Sequence, residues 1–351
     1  MNEPAGLAVT RLSDLEALRR IEHEWTELLC RQLHATPFQR PEWLLAWIES
    51  FRPRELWVLE VRANKRLVGI APLFGYRSEA GGRVLALLGV GISDYLDFTV
   101  DPAHAREVLQ AIFDFLERYE TEWDQVELLD LPDQSPLLMM ARARREWHWQ
   151  SAQHDICPKL VLPAEVDDWR RVIPSRQRRN LNTAVNRIRR AGKIRVTVAD
   201  RSTLAEHLRA LLQLHGARWR ESGKPGVLAN GAVREFHWKS APSLLEAGVL
   251  RLYGLRLDDE LIAALYTLWE SDTVYFYLQG FDTLYAEFSP GMQIVAAVIQ
   301  EALRERKKII DFLRGREAYK YLWGTRDYPT FRVVLRRSGG NEAVSSGADA
   351  A

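Results

Sequence analysis

Residues Thr273 to Gly324 read TVYFYLQGFDTLYAEFSPGMQIVAAVIQEALRERKKIIDFLRGREAYKYLWG, and this stretch decides the fold. Its first segment alternates, with Val274, Phe276 and Leu278 on one side and Tyr275, Tyr277 and Gln279 on the other, which is the period of a β-strand. At Ser289-Pro290-Gly291 the chain gains a candidate N-cap hydroxyl and a proline whose fixed φ suits the first helical position. Ile294, Val295, Val298, Ile299, Ala302 and Leu303 then recur at helical spacing, and Lys307 and Lys308 sit at the negative end of the helix dipole. Ile309 to Leu313 is a short apolar run, read as a second strand. Strand, helix and strand in that order predict a right-handed crossover between parallel strands. A crossover of this kind aims free N–H groups at the carboxyl end of the first strand, where an anion can bind.

Working outward, Asp311, Arg314, Gly315, Arg316, Glu317, Tyr319 and Lys320 follow the second strand as a dense set of ionisable and hydrogen-bonding groups. The run SPG, a helix, then DFLRGREAYKYLWG resembles the C-terminal half of GNAT-type acyltransferases of the CelD-like group, associated with cellulose or exopolysaccharide biosynthesis. It is also similar to the FemABX peptidyltransferases, which share the fold. PFQRPEWLLAW at 37–47, RRNLNTAVNRIRRAG at 178–192 and LHGARWRESGKPG at 214–226 extend the likeness over most of residues 37–330.

The resemblance implies transfer of an acyl group from acyl-CoA, acetyl-CoA first of all, to an amine on an amino sugar or another polysaccharide or cell-envelope precursor, with no metal. It implies that Lys320 stabilises the developing oxyanion, that Asp311 or Glu317 takes the amine proton, and that Tyr319 returns one to the leaving thiolate. The donor would lie against Tyr277, Gln279, Gly280, Ser289, Gly291, Met292 and Arg314, with Arg178, Arg179, His215, Arg218 and Trp219 on the acceptor side. The chain departs from the GNAT pattern in one respect. The six-residue Gln/Arg-x-x-Gly-x-Gly/Ala loop is absent, and the residues from Phe281 to Ser289 stand in its place. Two other readings stay open: an aminoacyl-tRNA-dependent transferase of the FemABX kind, and a non-catalytic accessory protein of a polysaccharide-synthesis assembly, associated with an envelope-synthesis complex at the periphery.

From Arg170 to Arg195 the chain carries ten arginines and lysines and no acidic residue after Arg170. On a helix from Ser175 these charges form either a solvated face with distant salt bridges or a contact for phosphates. His215 reads equally as a hydrogen-bonded structural histidine, and Trp219 as packing.

LWVLEVRANKRLVGIA from Leu56 lies without gaps on LRLYGLRLDDELIAAL from Leu250, and each hairpin is followed by strand, helix and strand. The expectation is an α/β chain of two tandem GNAT-like modules, each a mixed sheet flanked by helices, duplicated and diverged. Residues 1–165 form the first, non-catalytic module, 166–337 the acyltransferase module with a basic helical lead-in, and 338–351 a disordered tail. The first module lacks an SPG-like helix start and a counterpart of REAYK.

The chain has 351 residues, 47% hydrophobic and 27% charged, with a net charge of +1, so its bulk charge points to no nucleic-acid or membrane partner, tRNA in the FemABX reading excepted. Two cysteines without metal spacing and an N-terminal stretch without a signal-peptide pattern suggest the cytoplasm. The most apolar run, Val84 to Ile92, is too short to span a bilayer.

Overall fold

The computed structural model describes residues 6–32, 34–143, 148–165, 169–221 and 226–336, so the expected tail, 338–351, lies outside it. In chain order the elements begin β1 (Leu7–Leu12), α1 (Leu15–Arg20), α2 (Glu22–Cys30), α3 (Pro41–Phe51), β2 (Glu55–Ala63), β3 (Arg66–Arg77), β4 (Arg83–Leu87) and β5 (Thr99–Val100). They continue with α4 (Ala105–Arg118), β6 (Gln125–Pro132), α5 (Pro136–Ala143), β7 (His148–Val161), α6 (Ser175–Ala191), β8 (Ile194–Val198), α7 (Leu204–Glu221) and α8 (Gly231–Glu246). Last come β9 (Leu250–Leu257), β10 (Glu260–Glu270), β11 (Thr273–Phe281), α9 (Pro290–Arg304), β12 (Ile309–Asp311), α10 (Ala318–Tyr321) and β13 (Arg326–Arg336). Two compact units result, residues 1–155 with 329–351, and residues 156–328.

In the first unit the strands run β1-β2-β3-β4-β6-β13. Only β4 and β6 are parallel, joined by α4, whose Val108, Leu109, Ile112, Phe113 and Leu116 form its buried stripe. Ala63 pairs with Arg66, leaving Asn64 and Lys65 at positive φ in a two-residue turn whose twist suits a hairpin. Helices α1 and α2 meet at Ile21, and Asp14 caps the first by accepting the Ala17 N–H at 2.8 Å. Strand β1 was not anticipated; it adds an antiparallel edge to β2.

The second unit repeats the plan, with strands in the order β8-β9-β10-β11-β12-β7. Here β11 and β12 are parallel and α9 is the crossover, as the opening stretch predicts. Leu257 pairs with Glu260 across Asp258-Asp259, so the two aligned hairpins share a turn length. Buried side chains of α6 and α9 pack with those of β9, β10 and β11 into one core, and α7 and α8 cover the other face. Helix α8, capped by Asn230, was not expected, because Pro242 lies inside it and reads as a breaker.

The last strand of each unit is not the one that chain order suggests. The first unit is completed by β13 from the far end of the chain, and the second by residues 159–161 of β7. The division therefore falls at Asp155 rather than at 165, and the residues from Pro329 on return to the first unit rather than closing the second.

Candidate active site

Strand β11 does not keep its alternation. Tyr266 lies opposite Leu278 and Thr267 opposite Phe276, so Tyr277 is an extra, bulged residue. A bulge shifts the side-chain parity by one. Val274 and Phe276 face α9 before it, and Gln279 and Phe281 face α9 after it, whereas the sequence pattern put Leu278 on that side. Gln279 donates from Nε2 to the Gly291 carbonyl at 2.7 Å, tying the strand end to the helix start. Gly280 faces the other way. A Cβ there would stand 2.5 Å from the His215 backbone nitrogen, so glycine is required for α7 to pack so closely.

At the α9 start Pro290 occupies the first turn, but Ser289 is left-handed at φ 49° and its hydroxyl makes no capping bond, unlike the N-cap the sequence suggests. The Met292 and Gln293 N–H groups both donate to the Ser289 carbonyl. Among the described residues the Gly291 N–H has no protein acceptor. It opens into a cavity of about 590 Å³. Phe281, Met292, Val295, Leu322 and Trp323 give that cavity an apolar body, while Gln279, Ser289, Gly291, Glu287 and Tyr319 add polar atoms.

Helix α6 closes the other side. Its Gln177, Leu181, Ala184 and Ile188 are buried, and at 100° per residue Arg176, Arg179, Asn180, Thr183, Arg187 and Arg190 share the adjoining sector. Asn180, Thr183 and Arg187 line the cavity, and Arg187 donates from Nη1 to the Glu287 carbonyl at 2.8 Å. Arg176, Arg179 and Arg190 extend this rim and make no ion pair among the described residues. Arg178 points to the opposite side of the helix from the rim.

The cluster after β12 is drawn into the turn that follows the strand. Lys320 is buried, and its ammonium donates to the carbonyls of Leu313, Arg314 and Gly315 at 3.0, 2.6 and 3.1 Å and pairs with Glu317 at 2.9 Å. With every hydrogen engaged, it is committed to the turn. Asp311, fully buried, accepts the Leu313 N–H at 2.8 Å and pairs with Lys159 at 3.2 Å. Leu313 at φ 59° and Gly315 at φ 106° make this turn costly for the backbone, and Asp311 and Lys320 hold it closed from both ends. Of Lys320, Asp311, Glu317 and Tyr319, only Tyr319 lines the cavity.

Of the other expected residues, Gln279, Ser289, Gly291 and Met292 meet at the cavity. Tyr277, Gly280, Arg314, Arg178, Arg179 and His215 do not line it, and the side chains of Arg218 and Trp219 lie outside the described ones. Tyr277 packs its ring on His237 and Tyr266, beneath α8. His215 is buried near His237. Burial, then the charge of His215, pushes His237 down to about 3, so it is a neutral interior residue. Sequence reasoning missed Arg187, Asn180 and Thr183, although the phase of α6, taken from Leu181, Ala184 and Ile188, would have singled them out.

Among the described residues no helix is long and apolar enough to cross a membrane, and no group of His, Cys, Asp and Glu could hold a metal ion.

No curated protein sequence matches the chain. Among solved structures it is similar to FemX, at 11% identity and a TM-score of 0.65, covering 93% of this chain and 96% of that one. A conserved protein of unknown function from Bacteroides thetaiotaomicron aligns at 11% identity and a TM-score of 0.58, covering 95% and 100% of the two chains. The C-terminal domain of a putative lysylphosphatidylglycerol synthetase from Agrobacterium fabrum aligns at 11% identity and a TM-score of 0.57, covering 92% and 93%. At such identities the likeness is one of fold. Residues 175–321, which hold α6, the bulged strand, the crossover and the locked turn, match the family model described as an acetyltransferase (GNAT) domain, and acyl transfer is the reaction class that this domain supports.

Proposed function

We propose that the second unit transfers an acyl group from acyl-CoA, acetyl-CoA foremost, to an amine, and that the donor occupies the cavity between α6, the end of β11 and the start of α9. The observation that carries this reading is the Gly291 N–H at a helix start, which has no protein acceptor among the described residues, beside a cavity lined by Arg187 and flanked on α6 by arginines with no acidic partner among the described residues. Backbone N–H groups and the helix dipole favour an anion there, and Arg187 with the rest of the rim suits the phosphates of coenzyme A. The apolar body, from Phe281 to Trp323, suits the pantetheine chain and a short acyl group.

In the reaction the amine nitrogen bonds to the thioester carbonyl carbon and gives up a proton to solvent, the carbon–sulfur bond breaks, and the leaving thiolate takes up a proton that its donor regains from solvent, so no net proton is consumed. Tyr319 is the cavity's candidate for giving that proton. Lys320, Asp311 and Glu317 act through the backbone, as positioning residues that hold the turn leading into α10. An amino sugar or another envelope precursor is the acceptor class we carry forward from the resemblance to the CelD-like group.

One observation favours a second reading. The α6 arginines that have no acidic partner among the described residues, together with the FemX-like fold, also suit a polyanionic donor such as aminoacyl-tRNA. The discriminating experiment incubates the protein with acetyl-CoA and a panel of amines, amino sugars included, and follows release of the free thiol. Amine-dependent release, lost in Tyr319→Phe and Arg187→Ala, supports the acyl-CoA reading. Absence of release with any amine, alongside tRNA binding that weakens steeply with salt, would replace it with the second.

A further inference from the structure

The first unit contains a cavity of its own, of about 220 Å³, in a part of the chain to which no activity has been assigned above. Its walls are mostly apolar, among them Val100, Ala105 and Pro132, and a single carboxyl group, that of Asp97, lines it. Asp97 is 6% exposed. Its Oδ1 accepts the Phe98 N–H at 2.8 Å, the Ser135 hydroxyl donates to the same carboxyl, and among the described residues no basic side chain faces it. The nearby Arg31 is committed to Asp101 at 2.9 Å. Apart from Asp97, the only titratable group in the lining is His34, which is exposed.

A second acceptor points the same way. Gln32 and Gln39 both donate their amide N–H to the Phe98 carbonyl, at 3.3 and 3.4 Å. Gln39 spends its carbonyl oxygen on the Thr36 N–H, but the buried Oε1 of Gln32 has no donor. Among the described residues the cavity thus presents a buried carboxyl without a counter-charge and an amide oxygen without a donor. Groups left this way cost stability, and proteins retain them where a ligand completes them.

We infer that this cavity binds the primary ammonium group of a small amine, with the Asp97 carboxylate and the Gln32 Oε1 accepting its hydrogens and the apolar walls covering the adjoining alkyl chain. An ammonium supplies three donors and a charge, which is what the two acceptors lack. Burial raises the Asp97 carboxyl to about 7, so the site is competent above neutral pH and protonated below it.

The test uses the full chain and n-butylammonium chloride as probe, with n-butanol and sodium chloride as controls, followed by thermal unfolding at pH 8 and pH 5. A ligand of the folded state raises the midpoint in proportion to the logarithm of its concentration once that exceeds Kd. The expected result is a rise with butylammonium at pH 8, much reduced at pH 5, absent in Asp97→Asn and absent with butanol. Nα-Acetyl-lysine amide separates the two sources of such a group, since a rise with it as well marks a peptide lysine and a rise with butylammonium alone marks a free amine. Equal shifts from butanol and butylammonium, or an undiminished shift in Asp97→Asn, would overturn the inference. Should that variant not fold, the carbon-13 carboxyl resonance of Asp97 in the unmodified protein decides: its titration midpoint moves down when butylammonium is present, and an unmoved midpoint refutes the site.

Discussion

In both units a strand leaves the antiparallel part of the sheet and a helix brings the chain back to a parallel neighbour, but what lies between strand and helix differs. In the first unit residues 88–98 fold inward, and Leu88, Ile92, Tyr95, Leu96 and Phe98 are buried there. Gly89 turns at φ 92°, the Trp43 indole donates to the Ser93 hydroxyl at 2.9 Å, and the Leu96 N–H reaches the Asp130 carbonyl at 3.1 Å. In the second unit the chain between β11 and α9 is a short 3-10 segment, Thr283–Phe288, with Leu284 largely exposed, and the space beside it stays open as the 590 Å³ cavity. One topology thus yields a plugged joint and an open one. The proposed acyl-donor site lies at the open one, and the ammonium site inferred for the first unit lies away from its joint, around Asp97.

The largest effect should come from the turn that supports the open joint. Lys320→Ala leaves three carbonyls and part of a salt bridge without their donor, and because Glu317 is half exposed we expect a loss of about 2–4 kcal/mol in chemical denaturation. Tyr319→Phe serves as the contrast, with activity reduced and stability nearly unchanged. A stable Lys320→Ala variant with its chemistry abolished would instead return Lys320 to the reacting centre.

Next comes the plug. A Cβ at Gly89 would stand 2.7 Å from the Ser93 Oγ on a backbone that already requires positive φ. Gly89→Ala should therefore destabilise by about 1–3 kcal/mol while leaving Kd for acyl-CoA untouched. Loss of donor binding in this variant would mean that the two joints are not independent.

The effects of pH have opposite signs in the two units. Asp97 is held near 7 in the folded state against an ordinary 3.8, so the unfolded chain binds fewer protons between those values and stability falls as pH rises through that window. The cost is on the order of 1–4 kcal/mol at most, and Asp97→Asn should remove it. His237 is pushed down to about 3, so the unfolded chain binds more protons below its ordinary 6.5 and stability falls as pH drops. Unfolding measured from pH 4 to 8 should show the Asp97 slope vanish in Asp97→Asn while the acid-side loss remains; an unchanged profile would contradict the burial of this carboxyl without a counter-charge.

Much of this was legible in the residues. The crossover, the proline at the first turn of α9, the paired hairpins at Asn64-Lys65 and Asp258-Asp259 and the repeat of element order follow from periodicity and turn chemistry. The bulge at Tyr277 did not, because an extra residue in an aromatic run leaves the alternation intact on paper and is fixed only by pairing with β10. Nor did the closing strands, since β13 with β6 and β7 with β12 are contacts between segments far apart in the chain. Gln279, Ser289, Gly291 and Met292 line one cavity with Tyr319 because the end of the strand and the start of the helix converge there. Lys320 was placed by the resemblance, and neither the resemblance nor its burial tells a reacting ammonium from one that holds a turn.

The central claim is that the open joint of the second unit holds the acyl donor by its phosphates at the start of α9. Calorimetric titration of acetyl-CoA and free coenzyme A into the protein and into Gly291→Asp tests it most directly. A Cβ at Gly291 already stands 3.1 Å from Gln279 Nε2, so the new carboxylate enters the cavity mouth with the wrong charge for a phosphate. The account predicts saturable binding of both ligands, weakened at least about tenfold in Gly291→Asp and in Arg187→Ala, a loss of about 1.4 kcal/mol or more. Binding of equal strength in all three proteins, or none in any, would contradict it.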